Sequence, residues 1–339
     1  MTRDLGFNMR ASIERQIRTT EHTAFALTKN YRTALADIRE KLAVLYEKYS
    51  VDGKLTYAQM TKFNRLKKLN KQISEILGET NKENIALIEK LTKTNYDDAF
   101  FRTGWAVDQA TGVNVSWGLL SPDVVTASVA NDLRFISEKR LKNNSLTKIQ
   151  SAVSSGLTQG TSYGGMAAIL KDSINGTIKD AMRIARTEGA RATTIGSQFA
   201  LDRALNKGVD VVQVWDATLD SRTRLRHGEM DGKPMNMEQK AFWFRGRWVP
   251  GPQQTGIPGE DINCRCGVTG RIEGLEPSLR RVNGEVVPWT NYHDWRQNMR
   301  KNGGKYKPSE TVEMPEAIAN YHRNIERRKN NGEKTAYPV

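Results

Sequence analysis

The sequence predicts an α+β protein that is predominantly α-helical, with an N-terminal helical bundle or hairpin, a long central helix and a small antiparallel β module near the C-terminal third. Three observations predict this. Apolar residues step by three and four through most of the first hundred positions, the spacing of one helix face. A second such run crosses 177–206. From 209 the period falls to two and valine becomes frequent, as in a half-buried strand.

The first helix is expected over 10–50, where Leu27, Tyr31, Leu35, Ile38, Leu42, Leu45 and Tyr49 form one stripe. Asp52-Gly53, inside SVDGKLT, breaks it. A second helix carries Met60, Phe63, Leu66, Ile73, Ile76 and Leu77, and a third set, Ile85, Ile88 and Leu91, runs toward Tyr96 and Phe100. Helices joined by short turns pack as an antiparallel bundle, so 1–100 forms an N-terminal helical region. Residues 101–124 are aromatic and punctuated by glycine, and are expected to be an irregular connection.

Ser121-Pro122 opens the next helix, with proline in its first turn, running to about 142 and continuing in short helices over 146–153. TQGTSYGG at 158–165 is a loop with Ser162 as its cap. The longest helix is expected over 177–206, about 45 Å long, with Met182, Ile184, Ala185, Ala192, Ile195, Phe199, Ala200 and Leu205 on its buried side and Gly208 closing it. Strands follow at 209–217, at 241–250 as a pair around Arg245-Gly246, and at 264–272. The helices from 125 and these strands make one module over 125–275. The remainder, 276–339, is basic and polar, a tail or wrapping segment with a helical stretch at 315–330.

Formal net charge is +14 over 339 residues, which favours a polyanionic partner, nucleic acid before an anionic membrane. The excess is diffuse: +5 over 1–100, +4 over 101–200, +1 over 201–270 and +4 over 271–339. Such a spread suits either a solvated basic surface or sequence-independent phosphate contact, and no particular surface is marked for DNA. The N-terminus lacks the apolar core of a secretory signal. No apolar run is long enough to span a bilayer, so no membrane partner is expected. Two cysteines, Cys264 and Cys266, are too few for a disulfide framework and fit a reducing compartment.

Chemistry concentrates in two places. On the long helix, Arg183, Arg186, Glu188 and Arg191 fall within nine positions. They read as a cationic ridge or as intrahelical salt bridges. The stretch TLDSRTRLRHGEMDGKPM, 218–235, carries Asp220, Arg222, Arg224, Arg226, His227, Glu229 and Asp231. Asp220 or Ser221 is placed to cap a short helix on which Arg224 and His227 share a face. A histidine base with arginines stabilising an anion would suit a metal-dependent nuclease or phosphotransfer enzyme using Arg222, Arg224 and His227. No second histidine, lysine nucleophile or carboxylate pair completes such a site. A more specific set is His227 with Cys264 and Cys266, because thiolate and imidazole are zinc's preferred donors. Its fourth ligand would be Asp220, Glu229 or water. The alternative is a pair of buried thiols beside a hydrogen-bonded histidine. As scaffold, the stretch is a polar keystone tying the long helix to the small sheet, with Glu188 as the partner of its arginines.

The order R-I-A-R-T-E at 183–188, W-D at 215–216, D-S-R-T-R-x-x-H at 220–227, D-G at 231–232 and I-N-C-R-C at 262–266 resembles the phage minor head proteins, the Mu F-like or head-morphogenesis family of tailed phages. The resemblance covers about 125–275. It implies a non-enzymatic virion component that acts in head morphogenesis, genome packaging or ejection. It also implies association with the portal protein and a place in the capsid interior or portal vertex, with major capsid or scaffolding protein as a further expected partner. The diffuse positive charge adds non-specific contact with double-stranded DNA, and the cysteine usage adds assembly in the host cytoplasm. Carried over by position, Arg186, Glu188, Asp220, Arg222, Arg224, His227, Cys264 and Cys266 are the signature residues. Some relatives carry toxin domains after the module; with about 65 residues following it here, none is expected.

Overall fold

The structure, a computed structural model, describes residues 4–130, 132–275, 277–282 and 285–308. Helix α1 covers Leu5–Tyr49. It begins earlier than its apolar stripe because Asp4 caps it, the carboxylate accepting from Phe7 N at 2.9 Å. Helix α2, Tyr57–Thr61, opens on a capping box between Thr56 and Gln59. A single 3-10 turn, Lys62–Asn64, leads into helix α3, Arg65–Thr111. The stripe placed Phe63 in a helix interior, but its φ is +56° and its ring lies in solvent.

Helix α3 joins the second and third apolar sets and continues through the first half of the expected irregular connection. Ala106, Val107 and Ala110 carry its buried face past 101, and small residues at helical spacing read poorly against the aromatics around them. Gly112, at φ +72°, ends the helix. Helix α4, Pro122–Val129, is capped by Ser121 as expected but stops at Ala130, whose backbone is extended. Helix α5 then runs without a break over Asp132–Thr158, where a helix ending near 142 and short helices over 146–153 were expected. Helix α6, Tyr163–Asn206, is capped by Ser162 and starts well before 177. Met166, Leu170, Ile174 and Ile178 extend its stripe backwards. At 1.5 Å per residue it is about 66 Å long.

The change of period is real. Strand β1, Val211–Asp216, is followed by the one-turn helix α7, Leu225–Gly228, and by strands β2, Phe242–Phe244, and β3, Arg247–Val249. Strands β2 and β3 form a hairpin whose two turn residues, Arg245 and Gly246, both have positive φ. Helix α8, Pro258–Asp261, precedes strand β4, Gly267–Ile272. Strand β4 pairs antiparallel with β1, Val211 opposite Ile272 and Asp216 opposite Gly267. The expected strand at 264–272 therefore begins only at 267, and both cysteines lie in the turn before it. Strands β5, Leu279–Val282, and β6, Glu285–Pro288, form a further hairpin, and helix α9 covers Tyr292–Lys301. The basic stretch from 309 and the helix expected at 315–330 lie outside the described residues.

Two main cores result. The larger joins α1, α3, α5 and α6 around Tyr31, Ile38, Leu42, Ile73, Ile149, Val153 and Leu170. The second lies where the ends of the long helices meet the strands: Leu5 and Met9 from α1, Val107 from α3 and Leu201 from α6 pack with Trp215, Phe242, Phe244 and Val268. A smaller cluster of Leu219, Val282, Val287, Tyr292 and Trp295 seats the last hairpin and α9. Among the described residues, no helix is long and apolar enough to cross a membrane.

Candidate functional site

Most of the polar residues singled out by sequence lie where α1, α6 and the small strands meet, with Arg183 further back on α6, and internal bonds engage most of them. On α6, Arg183 pairs with Asp180 at 2.8 Å and Arg186 binds Glu21 of α1 through two bonds of 2.7 Å each. That bidentate contact holds the Glu21 carboxyl below its ordinary value. Glu188 pairs with Arg191 at 3.0 Å, both buried, and Arg191 also donates to Val129 O at 2.7 Å, anchoring the end of α4.

The stretch from 218 is a looped scaffold. Asp220 forms an Asx turn, accepting from Arg222 N at 2.9 Å, rather than capping a helix. Helix α7 starts later and Arg224 occupies its cap position without a side-chain bond. Asp220 is gripped bidentately by Arg265, one contact being 2.8 Å. Burial works against its charge, but Arg265 prevails and holds the carboxyl below the usual aspartate range. Thr218 donates to Arg265 O at 2.7 Å and accepts from Arg10 at 2.9 Å.

The expected tie between Glu188 and the loop arginines is replaced by others. Arg224 donates to Ile262 O at 2.8 Å and to Glu260 O at 3.3 Å. Arg226 and Arg245 reach Glu260 Oε1 at 3.4 and 3.0 Å, and Arg222 is largely exposed beside Asp220. Helix α6 is instead stitched to the module through hydroxyls and amides. Thr187 Oγ1 accepts from Asn263 N at 3.1 Å. Thr194 donates to Gln253 at 2.8 Å, and Gln253 in turn donates to Cys264 O at 3.2 Å and Cys266 O at 2.7 Å.

His227, Cys264 and Cys266 do come together. Nδ1 of His227 lies 3.3 Å from Sγ of Cys264 and 3.5 Å from Sγ of Cys266. All three side chains are buried, and Trp215 and Phe244 meet the imidazole edge to face. Burial pushes the Cys264 thiol up, while the hydrogen bond from Cys264 and the adjacent His227 hold Cys266 low. Nε2 of His227 is 3.2 Å from Glu260 Oε2, at an angle outside hydrogen-bond geometry. The carboxylates expected to complete a metal set are elsewhere: Asp220 is committed to Arg265, and Glu229 is exposed. A cleft of about 620 Å³ opens beside the cysteines, between α1 and α6, and Arg186, Arg222, Arg224 and Arg265 line it.

Sequence reasoning missed a second polar centre. Arg280 is buried and donates to Asp216 at 2.8 Å, to Asp231 at 2.6 and 2.7 Å, and to the carbonyls of Ala217 and Thr290. Burial disfavours its charge, but Asp216 and Asp231 override that and hold the guanidinium above its ordinary value. Asp231 also accepts from Ala217 N and Tyr292 N, both at 2.8 Å, so one side chain joins the residue after β1 to the start of α9. The W-D and D-G pairs carried this signal, but Arg280 lay beyond the stretch where ion partners were sought.

Long paired helices, a small β module and a site built from internal ion pairs define a helix-rich α+β protein with a braced polar hub. Residues 147–269 match the family of phage Mu protein F like proteins, the family that the motif order resembles. The chain is 29% identical over 283 residues to Minor head protein GP7 of Bacillus phage SPP1, covering 81% of this chain and 92% of that protein. It is 27% identical over 288 residues to a protein of Enterococcus faecalis named NAD(+)--arginine ADP-ribosyltransferase EFV, covering 83% of this chain and 58% of the relative. A Haemophilus influenzae protein is 32% identical over 161 residues, 46% of this chain and 32% of its own length. The chain thus spans nearly all of the phage SPP1 protein and little more than half, or less, of the other two. No solved structure matches.

Proposed function

We propose that this protein is a structural minor component of a tailed-phage head that acts in head morphogenesis and catalyses no reaction. One observation carries the reading most directly: most of the signature residues, Arg222 apart, are spent on holding the chain together. Arg224 binds two backbone carbonyls, Asp220 is paired with Arg265, Glu188 with Arg191, and His227 is enclosed. A general base has to reach a substrate proton within hydrogen-bond distance, and a side chain 1% exposed beneath Trp215 and Phe244 is poorly placed for that.

The finer role is docking on the portal or on major capsid or scaffolding protein, with basic surfaces touching packaged double-stranded DNA during packaging or ejection. The protein would occupy the capsid interior or portal vertex, having been assembled in host cytoplasm. The net charge of +14 and its diffuse distribution support sequence-independent contact with phosphate. Particles lacking this chain are expected to form but to package or deliver DNA poorly, and imaging of complete particles is expected to place it at the portal. Normal packaging and infectivity without it would overturn the proposal. DNA binding stands as a separate clause: it is expected to fall steeply between low and moderate salt, and a flat response would remove that clause alone. Hydrolysis of a phosphodiester by purified protein, lost in His227→Ala with the fold intact, would replace the structural reading with the enzymatic one.

A further inference from the structure

Cys264 and Cys266 approach the same atom. Two sulfurs lie 3.3 and 3.5 Å from Nδ1 of His227, a convergence that lets one cation bind all three atoms. Zinc–sulfur and zinc–nitrogen bonds of about 2.3 and 2.05 Å at the tetrahedral angle place sulfur and nitrogen about 3.6 Å apart. The observed separations are close to this, and the three donor atoms all lie within 4.8 Å of one another.

The surroundings fit the same chemistry. Metal-bound histidines are held from their second nitrogen by a carboxylate or carbonyl, which fixes the tautomer and ring direction. Glu260 Oε2 stands 3.2 Å from Nε2, on the side of the ring away from the sulfurs, off the hydrogen-bond angle but near enough that a small turn of the carboxylate completes the bond. Glu260 is itself fixed by Arg245 at 3.0 Å and Arg226 at 3.4 Å. The turn bearing the cysteines is clamped by Gln253 through both of their carbonyls. Two thiolates and one imidazole form a soft, mixed donor set that selects zinc over magnesium or calcium. Asp220 and Glu229 are not placed to be fourth ligands, but both cysteines also line the 620 Å³ cleft.

We propose that the protein binds one zinc ion through Nδ1 of His227 and the sulfurs of Cys264 and Cys266, with Glu260 orienting the imidazole and a water from the cleft as fourth ligand. The ion joins α7 to the turn before β4, segments far apart in sequence, and so acts as a cross-link in the module. Binding releases the thiol protons to solvent and leaves the two thiolates neutralised by the metal.

The test uses the full chain isolated without chelator. Elemental analysis is expected to give about one zinc per chain, and X-ray absorption to give two sulfur and two nitrogen or oxygen neighbours. Titrating the wild-type thiols with a mercurial is expected to release zinc to an indicator dye in step with thiol modification. Cobalt in place of zinc is expected to show a thiolate charge-transfer band. Cys264→Ser and Cys266→Ser are expected to lose the ion, whereas Glu260→Gln is expected to keep it with affinity weakened about 10- to 100-fold. If the serine variants do not fold, the wild-type titration still decides. Thiols that react fully with no metal released, cysteines recovered as a mutual disulfide, or a metal whose neighbours include no sulfur would each overturn the proposal.

Discussion

Arg280 and Asp231 meet through two bonds, at 2.6 and 2.7 Å, with both side chains buried. Burying the two charges costs desolvation that only a well-satisfied geometry offsets. Here every oxygen and both terminal nitrogens have partners, because Asp231 also accepts two backbone amides and Arg280 also reaches Asp216 and two carbonyls. Removing one member leaves the other charged and buried. Arg280→Ala is therefore expected to lower unfolding free energy by about 3–5 kcal/mol, read by urea denaturation. Asp231→Ala should cost a similar amount, and the double variant much less than the sum of the two. Additive losses would mean that the two residues do not act as a unit.

Arg224 and Arg222 lie two positions apart and are expected to behave differently. Arg224 donates to two carbonyls in the segment that leads to the cysteines, and bonds from a charged donor contribute about 1.5–3 kcal/mol each. Arg222 is 78% exposed and stands 3.6 Å from Asp220, a surface pair of little weight. Arg224→Ala is expected to reduce stability and incorporation into particles, while Arg222→Ala changes stability by less than about 0.5 kcal/mol. Equal losses in the two variants would show that the loop is not anchored through Arg224.

The extent to which these features were legible in the sequence follows from their range. Helix faces were legible because their period is local: Leu27 through Leu42 occupy one stripe in sequence and one core in the fold. The β2–β3 turn was legible because Arg245-Gly246 punctuates an apolar run. The start of α6 was not, because Gly164, Gly165 and Gly176 read as breakers, although the helix tolerates all three once Met166, Leu170 and Ile174 are buried. Tertiary packing outweighs a propensity cost of about 1 kcal/mol per glycine. In the site, His227 and the cysteines could be grouped by donor chemistry despite 37 and 39 intervening steps. Glu260 and Arg280 could not, because nothing local says which of many carboxylates and arginines will be brought beside a given partner.

Acid should weaken one contact in a predictable direction. Asp220 has a folded value depressed by Arg265, so it contributes stability that is fully present above its unfolded value of about 3.9 and is lost as pH falls through the folded value. Glu21, lowered by its bond with Arg186, acts with the same sign. Arg265→Gln is expected to unfold at lower urea than wild type at neutral pH, with the gap narrowing below about pH 4 as Asp220 becomes protonated. A gap that stays constant to the lowest pH would assign the loss to packing of the Arg265 side chain instead of its charge.

The crossing of α3 and α6 depends on a missing side chain. A Cβ at Gly196 would sit 2.3 Å from Tyr96 O and 3.1 Å from Ala99 Cβ. The first of these is a helix backbone atom and cannot turn aside as a flexible side chain can. Gly196→Ala must therefore separate two helices that form much of the interior, and overpacking of this kind costs about 1–3 kcal/mol. The gain in helix propensity from glycine to alanine, about 1 kcal/mol, opposes that cost. Gly78 provides the control, since it lies on the exposed side of α3 with nothing within 4 Å of an added Cβ. Gly78→Ala is expected to raise the thermal midpoint and Gly196→Ala to lower it. If both raise it, the helices have room to approach differently, and the close contact at Tyr96 does not set their packing.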